Sequence, residues 1–329
     1  MRRRLIVAAE HFPLARPFAI ARGVRTAIDV LTVRVEEEGA VGWGEGAPYA
    51  RYGETMESSI AAIERIRPAI EKGVGRDALQ TLLPPGAARN AVDCALWDLA
   101  AKREGVSVAE RLGVEPAPIA TALTIGIAAP EEMGRAAAEL AHVPLLKVKL
   151  DALSIMERVR AVRAAAPNAR IIVDANESWT ADLLQQVLPV LADADVELVE
   201  QPLPAGQDAA LAAIASPVPI SADESAHVAA DIPALAGLYD YVTIKLDKSG
   251  GLTEALAMAD AAAAAGMGVM TGCMLCTSLS VAPAWFVAMR SSVVDLDGPW
   301  WLRADRAGGI ALREGRISPP VGLGWGRAL

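Results

Sequence analysis

The sequence predicts an α/β fold whose main body is a (β/α)8 TIM-like barrel preceded by an α+β segment. Three observations carry that prediction. From about Ile119, eight short apolar runs recur, and their markers (Thr124, Lys149, Asp174, Glu200, Asp223, Lys245, Gly272 and Asp295) fall 22 to 27 residues apart. Ala- and Leu-rich stretches of helical character separate the runs, the alternation that a barrel of eight βα units requires. No Gly-rich phosphate loop follows any run, which argues against a doubly wound sheet. With 329 residues, 53% of them hydrophobic, the chain can bury a barrel core and a smaller domain besides.

The elements follow in order. Residues 28–35 (IDVLTVRV) alternate as a strand does, and Gly39 allows a hairpin return into AVGWGEG. Glu36 to Glu38 read as a solvated turn. From Glu54 the pattern becomes helical, and residues 88–103 carry Val92, Leu96 and Leu99 at helical spacing, with Trp97 as core packing. The barrel runs then end in ALTIG, LLKVKLD, IIVDAN, LVEQP, ISADES, VTIKLDKSGG, VMTGCM and VVDLDGP. Their charged residues sit at the C-terminal strand ends, the face on which active sites of this fold form. Asp193 and Asp195 precede their strand instead, so they belong to the opposite face as a solvated helix end.

Composition narrows the function classes. The formal net charge is −9 with the two signs interspersed, so no basic stripe invites nucleic acid. The apolar run in MRRRLIVAAEH stops at Glu10, too short for a signal-peptide core, and no stretch has the length of a bilayer span. Cys94, Cys273 and Cys276 form neither a disulfide framework nor a zinc-spaced set, and the C-x-x-C of GCMLCTS lacks a thioredoxin-like context. A reduced, cytoplasmic protein with no membrane partner is expected. His11, His142 and His227 lie outside the motifs.

The chemistry-bearing residues form one constellation. Asp174, Glu200 and Asp223 end three consecutive strands, and carboxylates so placed repel one another unless a cation lies between them. Oxygen ligands without His or Cys point to a hard cation, Mg²⁺ first, one per site. Lys147 and Lys149 lie two apart and share the inward face, while Leu146, Val148 and Leu150 face the helices. Lys245 ends a strand across the barrel mouth. Cations near a metal and near each other lower a lysine's pKa and make a neutral amine available as a base. A proton next to a carboxylate is weakly acidic because its loss gathers two negative charges on one ene-diolate. A divalent cation and fixed ammonium groups answer that charge. One lysine takes the proton and the other returns one from the opposite face, which inverts the centre.

The set KVK, DAN, EQP, ADES and IKLDKSGG resembles the muconate-lactonizing subgroup of the enolase superfamily, over nearly the whole chain. The resemblance implies an α+β capping domain over residues 1–117, completed by 304–329, and a catalytic barrel over 118–303. It assigns Asp174, Glu200 and Asp223 to the metal, Lys149 and Lys245 to acid/base catalysis, and Lys147 to the substrate carboxylate. VVDLDGP places Asp295 and Asp297 two apart at the mouth and looks like the D-x-D of dipeptide epimerases, where it receives the substrate α-ammonium. With no basic partner near them in the motif, two such carboxylates call for a cationic ligand group. PYARYGE, GAARNAVDCALWDLA, IVDANESW and KLDKSGGLTEAL are similar to the bacterial L-Ala-D/L-Glu epimerases. In that group an arginine on a capping loop meets the glutamate side chain, and here Arg22 or Arg25 of IARGVRTA is available. Thr124 and Cys273 match pocket-lining positions.

The function so implied is Mg²⁺-dependent, two-lysine epimerisation of the C-terminal residue of L-Ala-D/L-Glu, an isomerase reaction on a small dipeptide, serving reuse of cell-wall peptide. Within the subgroup the alternatives are N-acyl amino acid racemase, o-succinylbenzoate synthase and muconate cycloisomerase. A metal-free Schiff-base lysine lyase would use one lysine and leave three carboxylates idle, and a non-catalytic binding barrel would leave the whole set idle. A homo-oligomer is compatible with such barrels, but no interface is legible in the sequence.

Overall fold

The computed structural model describes residues 3–326. Its N-terminal unit is an antiparallel meander of β1 (Arg4–Ile20), β2 (Gly23–Glu37) and β3 (Ala40–Gly46). Four helices follow: α1 (Met56–Glu71), α2 (Arg76–Leu82), α3 (Ala87–Glu104) and α4 (Val108–Leu112). The alternation along β2 has a use on both faces. Leu31, Val33 and Val35 pack with Ile63, Ile66 and Ile70 of α1 and with Val92, Leu96 and Leu99 of α3. Ile28 and Val30 face the other way, into a cluster with Trp301 and Leu302 from the far end of the chain. Glycine alternates in β3 because that strand lies on α3. A Cβ at Gly42 would stand 2.1 Å from the Ala95 carbonyl oxygen, and one at Gly44 would stand 2.0 Å from that of Ala91.

The alternation pattern marks no strand before residue 28, yet β1 is 17 residues long. Its signal is hidden by Pro13 and Pro17, with the register slipping between Pro13 and Phe18. As an edge strand it tolerates both prolines, whose missing amides are not needed by a second neighbour. The expected solvated turn also narrows. Glu36 and Glu37 end β2, Glu37 is paired with Arg3 and Arg103, and only Glu38 turns, with φ 53°.

After β4 (Ile119–Ala120), eight parallel strands form one sheet in sequential order: β5 (Leu123–Ile125), β6 (Leu145–Lys149), β7 (Arg170–Asp174), β8 (Val196–Glu200), β9 (Ile220–Ala222), β10 (Tyr241–Ile244), β11 (Gly268–Gly272) and β12 (Val293–Asp295). The Ala122 amide donates to Val294 O at 2.8 Å and joins the two ends of the sheet, closing the barrel. Ala122, Leu145, Ile172, Leu198, Met270 and Val293 fill its interior floor. Leu146, Val148, Ile171 and Val173, one residue out of phase, belong to the outer core beneath the helices. Those helices are α5 (Pro130–Glu139), α6 (Ile155–Ala165), α7 (Ala181–Asp193), α8 (Ile232–Leu235), α9 (Leu246–Ser249), α10 (Leu252–Ala264) and α11 (Ser278–Ala288). Between β8 and β9 the crossover is a 3-10 helix (Asp208–Ala213) rather than an α-helix, since Pro202, Pro204, Pro217 and Pro219 leave little uninterrupted chain.

Residues beyond the barrel form β13 (Leu312–Arg313) and β14 (Arg316–Ile317), which pairs with β4, and then lie against the N-terminal unit. The Trp325 amide donates to Asp98 and its indole to Trp43 O, while Arg306 pairs with Glu10 and Glu45. Among the described residues, no helix is long and apolar enough to cross a membrane.

Candidate active site

Strand ends set the site. Lys149, Asp174, Glu200, Gly272 and Asp295 are the last residues of their strands, and Asp223 and Lys245 come one residue after β9 and β10. Register levels them, with Lys149 opposite Asp174 and Asp174 opposite Glu200. The barrel mouth and the N-terminal unit enclose a cavity of about 210 Å³. Thr124, Lys147, Lys149, Asp223, Lys245, Cys273, Asp295 and Asp297 line it from the barrel, and Phe18, Arg22, Arg25, Tyr49 and Tyr52 line it from above. Asp174 and Glu200 sit fully buried behind the lysines.

The buried charges form one network. Lys147 Nζ lies 2.5 Å from Glu200 Oε2, 2.6 Å from Asp295 Oδ2 and 3.1 Å from Asp174 Oδ2. Lys149 Nζ donates to Asp174 Oδ2 at 2.5 Å. Lys245 Nζ donates to Asp223 Oδ2 at 2.5 Å and stands 3.9 Å from Glu200 Oε1. Among the described residues, no three acidic, His or Cys side chains are gathered as a ready-made cation cage. Ammonium groups occupy the space between the carboxylates instead.

Glu200 is the carboxylate this network leaves short. Its contact with Lys147 is off the hydrogen-bonding direction, and neither of its oxygens has a hydrogen-bond partner among the described residues. Burial, and after it the charge of Asp174, pushes its carboxyl up to about 8. Burial acts the same way on Asp174 and Asp223, but the lysines beside them outweigh it and hold both below the usual carboxylate range.

With only the protein's own charges around them, Lys147 and Lys245 are held well above the usual value, while the lowering expected from the sequence belongs to a site that also holds a metal. Burial opposes their charge, but Asp295 and Glu200 around Lys147, and Asp223 and Glu200 around Lys245, outweigh it. One expectation from the sequence is corrected here: the D-x-D pair reads there as lacking a basic partner, whereas Asp295 Oδ2 is held by Lys147. Asp297 Oδ2 accepts from the Thr124 amide at 2.8 Å and from the Trp301 indole at 3.2 Å. Burial, then the charge of Asp295, raises the Asp297 carboxyl to about 6. Asp295 Oδ1 is left buried without a partner among the described residues.

The two candidate arginines differ. Arg22 reaches across the mouth, donating to Glu224 Oε1 at 2.8 Å, to Glu177 Oε2 at 3.2 Å and to Asn176 O at 3.1 Å. Arg51 grips the same Glu177 through two bonds of 2.9 and 2.7 Å, so two loops of the N-terminal unit are fastened to one barrel carboxylate. Arg25 lies over the Tyr49 ring and lines the cavity, with no ion pair among the described residues. Cys276 is buried behind Cys273, and both are free thiols; a hydrogen bond with Cys273, then burial, raises the Cys276 pKa well above the usual value.

Several residues of the site carry no signal in the sequence pattern. Lys248 Nζ donates to Asp223 Oδ1 at 2.5 Å and to Thr243 O at 2.9 Å, so Asp223 is gripped from both sides. Gln201 Oε1 accepts from the Asp223 amide, and its Nε2 donates to Leu203 O and the Tyr239 hydroxyl, tying adjacent strand ends together. Asn176, Glu177 and Gln201 have φ of 45°, 68° and 33°, a strained conformation that turns the chain sharply beside Asp174 and Glu200. The motifs DAN, EQP and IKLDKSGG contain or adjoin these residues, but nothing in the motifs says which neighbour each one holds.

Two family models cover the chain: the N-terminal domain of mandelate racemase / muconate lactonizing enzyme over residues 2–113, and the enolase C-terminal domain-like family over 128–329. The chain belongs to the enolase superfamily. Within that superfamily it is 49% identical to the L-Ala-D/L-Glu epimerase of Escherichia coli (strain K12), over 96% of this chain and 99% of that protein. It is 41% identical to an N-acetyl-D-glutamate racemase of a Pseudoalteromonas species, over 91% and 96% of the two chains. It superposes with a TM-score of 0.96, at 47% identity and 98% and 100% coverage, on an enolase family member from Agrobacterium tumefaciens with homology to dipeptide epimerases, whose structure holds sodium and L-Ala-L-Glu with an ordered loop. The eight-stranded barrel and the capping unit of this chain are thus those of an enolase-superfamily member.

Proposed function

We propose that the chain is a Mg²⁺-dependent epimerase of L-Ala-D/L-Glu, acting at the α-carbon of the C-terminal residue. The observation that carries this reading is the pair Lys149 and Lys245. They enter one cavity from β6 and from the end of β10, with three strands between them. A substrate carbon held there has an amine on each face, which removal and return of a proton with inversion require.

The residues fit a hard cation. Asp174, Glu200 and Asp223 offer oxygen donors from three adjacent strands, and the partnerless oxygens of buried Glu200 are what a divalent ion would satisfy. Enolase-superfamily sites in general pair a lysine or histidine base with Mg²⁺. Bound among these carboxylates, the ion would supply positive charge against which a substrate carboxylate can become more negative. Everything else falls to the chain's own residues. Lys149 and Lys245 move the proton, and Lys147, fully buried, adds a fixed positive charge beneath the reacting carboxylate. Asp295 Oδ1, buried and without a partner among the described residues, would accept from the α-ammonium of the first residue. The cap is fastened over the cavity through Arg22 and Arg51 on Glu177. A role in reusing cell-wall peptide goes with this substrate, in a soluble protein of the cytoplasm.

Of the two candidates, Arg25 has no ion pair among the described residues and would meet the glutamate side chain, because Arg22 is committed to Glu224 and Glu177. Arg25→Ala is expected to lower kcat/KM for L-Ala-L-Glu by roughly ten- to a hundredfold, the loss of one charge-assisted contact. Turnover of a dipeptide with an uncharged second residue should change little. Equal losses on both substrates would move the specificity role away from Arg25.

The reaction itself is tested by proton NMR of L-Ala-L-Glu in D₂O with enzyme and Mg²⁺. Loss of the glutamate α-proton signal, with diastereomer peaks growing in, is the expected result. Silence with this dipeptide alongside exchange of an N-acylated glutamate would overturn the dipeptide reading and favour racemisation of N-acyl amino acids.

A further inference from the structure

Two sequence stretches more than 150 residues apart lock together directly behind Lys245. Lys245 is followed at once by α9, whose Asp247 is buried, as is Asn90 of α3. Asp247 Oδ1 accepts from Asn90 Nδ2 and from the Ala47 amide, both at 2.8 Å. One residue before Asn90, Arg89 donates to Ser249 O at 2.5 Å and to Gly250 O at 3.2 Å. Three residues after it, Asp93 accepts from the Thr253 amide at 3.0 Å and from its hydroxyl at 2.7 Å. The glycine pair of the KSGG motif exists for this contact. Gly250 has φ 82°, and a Cβ there would stand 2.4 Å from Arg89 Nε; Gly251 has φ 116°, and a Cβ there would stand 2.5 Å from that of Asp93.

Among the described residues, nothing comparable holds the other lysine. The Leu150 amide, after Lys149, donates to Asp174 O, Asp151 pairs with Arg158, and the Trp179 indole donates to Asp151 O. All of these partners belong to the barrel. The two bases of the proposed reaction therefore have different mechanical supports.

We infer that Asp247, gripped by Asn90 and the Ala47 amide, is a positioning residue for Lys245, so that the capping unit sets the place of one base while the barrel alone sets the other. The inference rests on the two-base reading given above. It assigns Asp247 no contact with substrate. What Asp247 supplies is an acceptor oxygen at a fixed point, two residues along the chain from the amine.

A structural role alone would slow both directions of the reaction together, whereas a positioning role shows a side. The test follows deuterium exchange at the glutamate α-carbon separately for L-Ala-L-Glu and L-Ala-D-Glu, by initial rates in D₂O with Mg²⁺. Lys245→Ala identifies the isomer whose proton Lys245 removes. Asp247→Ala is expected to slow exchange of that same isomer by roughly tenfold to a hundredfold, the scale of a base displaced by a fraction of an ångström or more. Exchange of the other isomer should stay within about threefold, which also shows that the variant is folded. Asp247→Asn keeps the acceptor oxygen and is expected to restore both rates. Asn90→Ala removes one of the two donors, should show the same asymmetry more weakly, and serves if Asp247→Ala does not fold. Equal slowing of both isomers, no slowing of either, or an Asp247→Asn variant as asymmetric as Asp247→Ala would overturn the inference. A wild-type protein that exchanges neither isomer would instead overturn the two-base reading, and this inference with it.

Discussion

Lys149→Ala and Lys245→Ala are each expected to cut epimerisation by about 10²- to 10⁴-fold, the usual contribution of a positioned acid or base. Both reactions, removal and return of the proton, lie on the path between the two stereoisomers, so either loss blocks net inversion. The two variants should nevertheless differ in what they keep. Each retains the amine on one face of the carbon, so each should still wash solvent deuterium into one isomer while converting neither. That complementary pattern separates loss of a base from collapse of the site. Removing Lys245 leaves Asp223 with Lys248 as its remaining ammonium, and removing Lys149 leaves Asp174 with Lys147 at 3.1 Å. Neither carboxylate is left without a cation, so both variants should fold. Near-full turnover by either one would refute the two-base assignment.

The barrel is legible in the sequence because its chemistry and its core lie on different phases of the same short strands. Lys147 and Lys149 alternate with Leu146 and Val148, and this period-two pattern is enough to place the lysines inside and the leucine and valine under the helices. Polar residues closing apolar runs mark strand ends, which is why Asp174, Glu200, Asp223 and Lys245 can be located within a residue. The first strand is not legible, since Pro13 and Pro17 are breakers unless a strand is known to lie at an edge. Partners are not legible either. That Lys147 neutralises Asp295, or that Arg22 rather than Arg25 is spent on Glu224, depends on how side chains from distant parts of the chain meet at the mouth. Periodicity along the chain carries no information about that. The same holds for Asn90, one more polar residue on a helix, and for Asp247, one more charge in a strand-end motif.

Glu200→Gln should separate the cost of a buried charge from the use of a metal site, and it carries the second large effect. With only the protein's own groups around it, Glu200 is buried, has no hydrogen-bond partner among the described residues and is pushed up to about 8. An acid whose folded pKa lies above its unfolded value binds more protons when folded, so its contribution to stability falls as pH rises between the two values. For Glu200 that window runs from its ordinary value of 4.5 to about 8. Glutamine copies the neutral form at every pH. In EDTA the variant should therefore match the wild type near pH 5 and unfold at a higher temperature than the wild type near pH 8. With Mg²⁺ the order should reverse. A ligand that binds only the folded state at a hundredfold excess over its Kd stabilises by about 2.7 kcal/mol, and the variant, short of one anionic donor, should gain much less. Its exchange of the dipeptide α-proton should fall by at least about 10²-fold, in line with removal of a group that stabilises developing charge. Scanning calorimetry at the two pH values, with EDTA and with Mg²⁺, reads all four states. A Glu200→Gln protein that Mg²⁺ stabilises as strongly as the wild type would show that the cation is held without Glu200, and the ligand set would have to be drawn from other residues at the mouth.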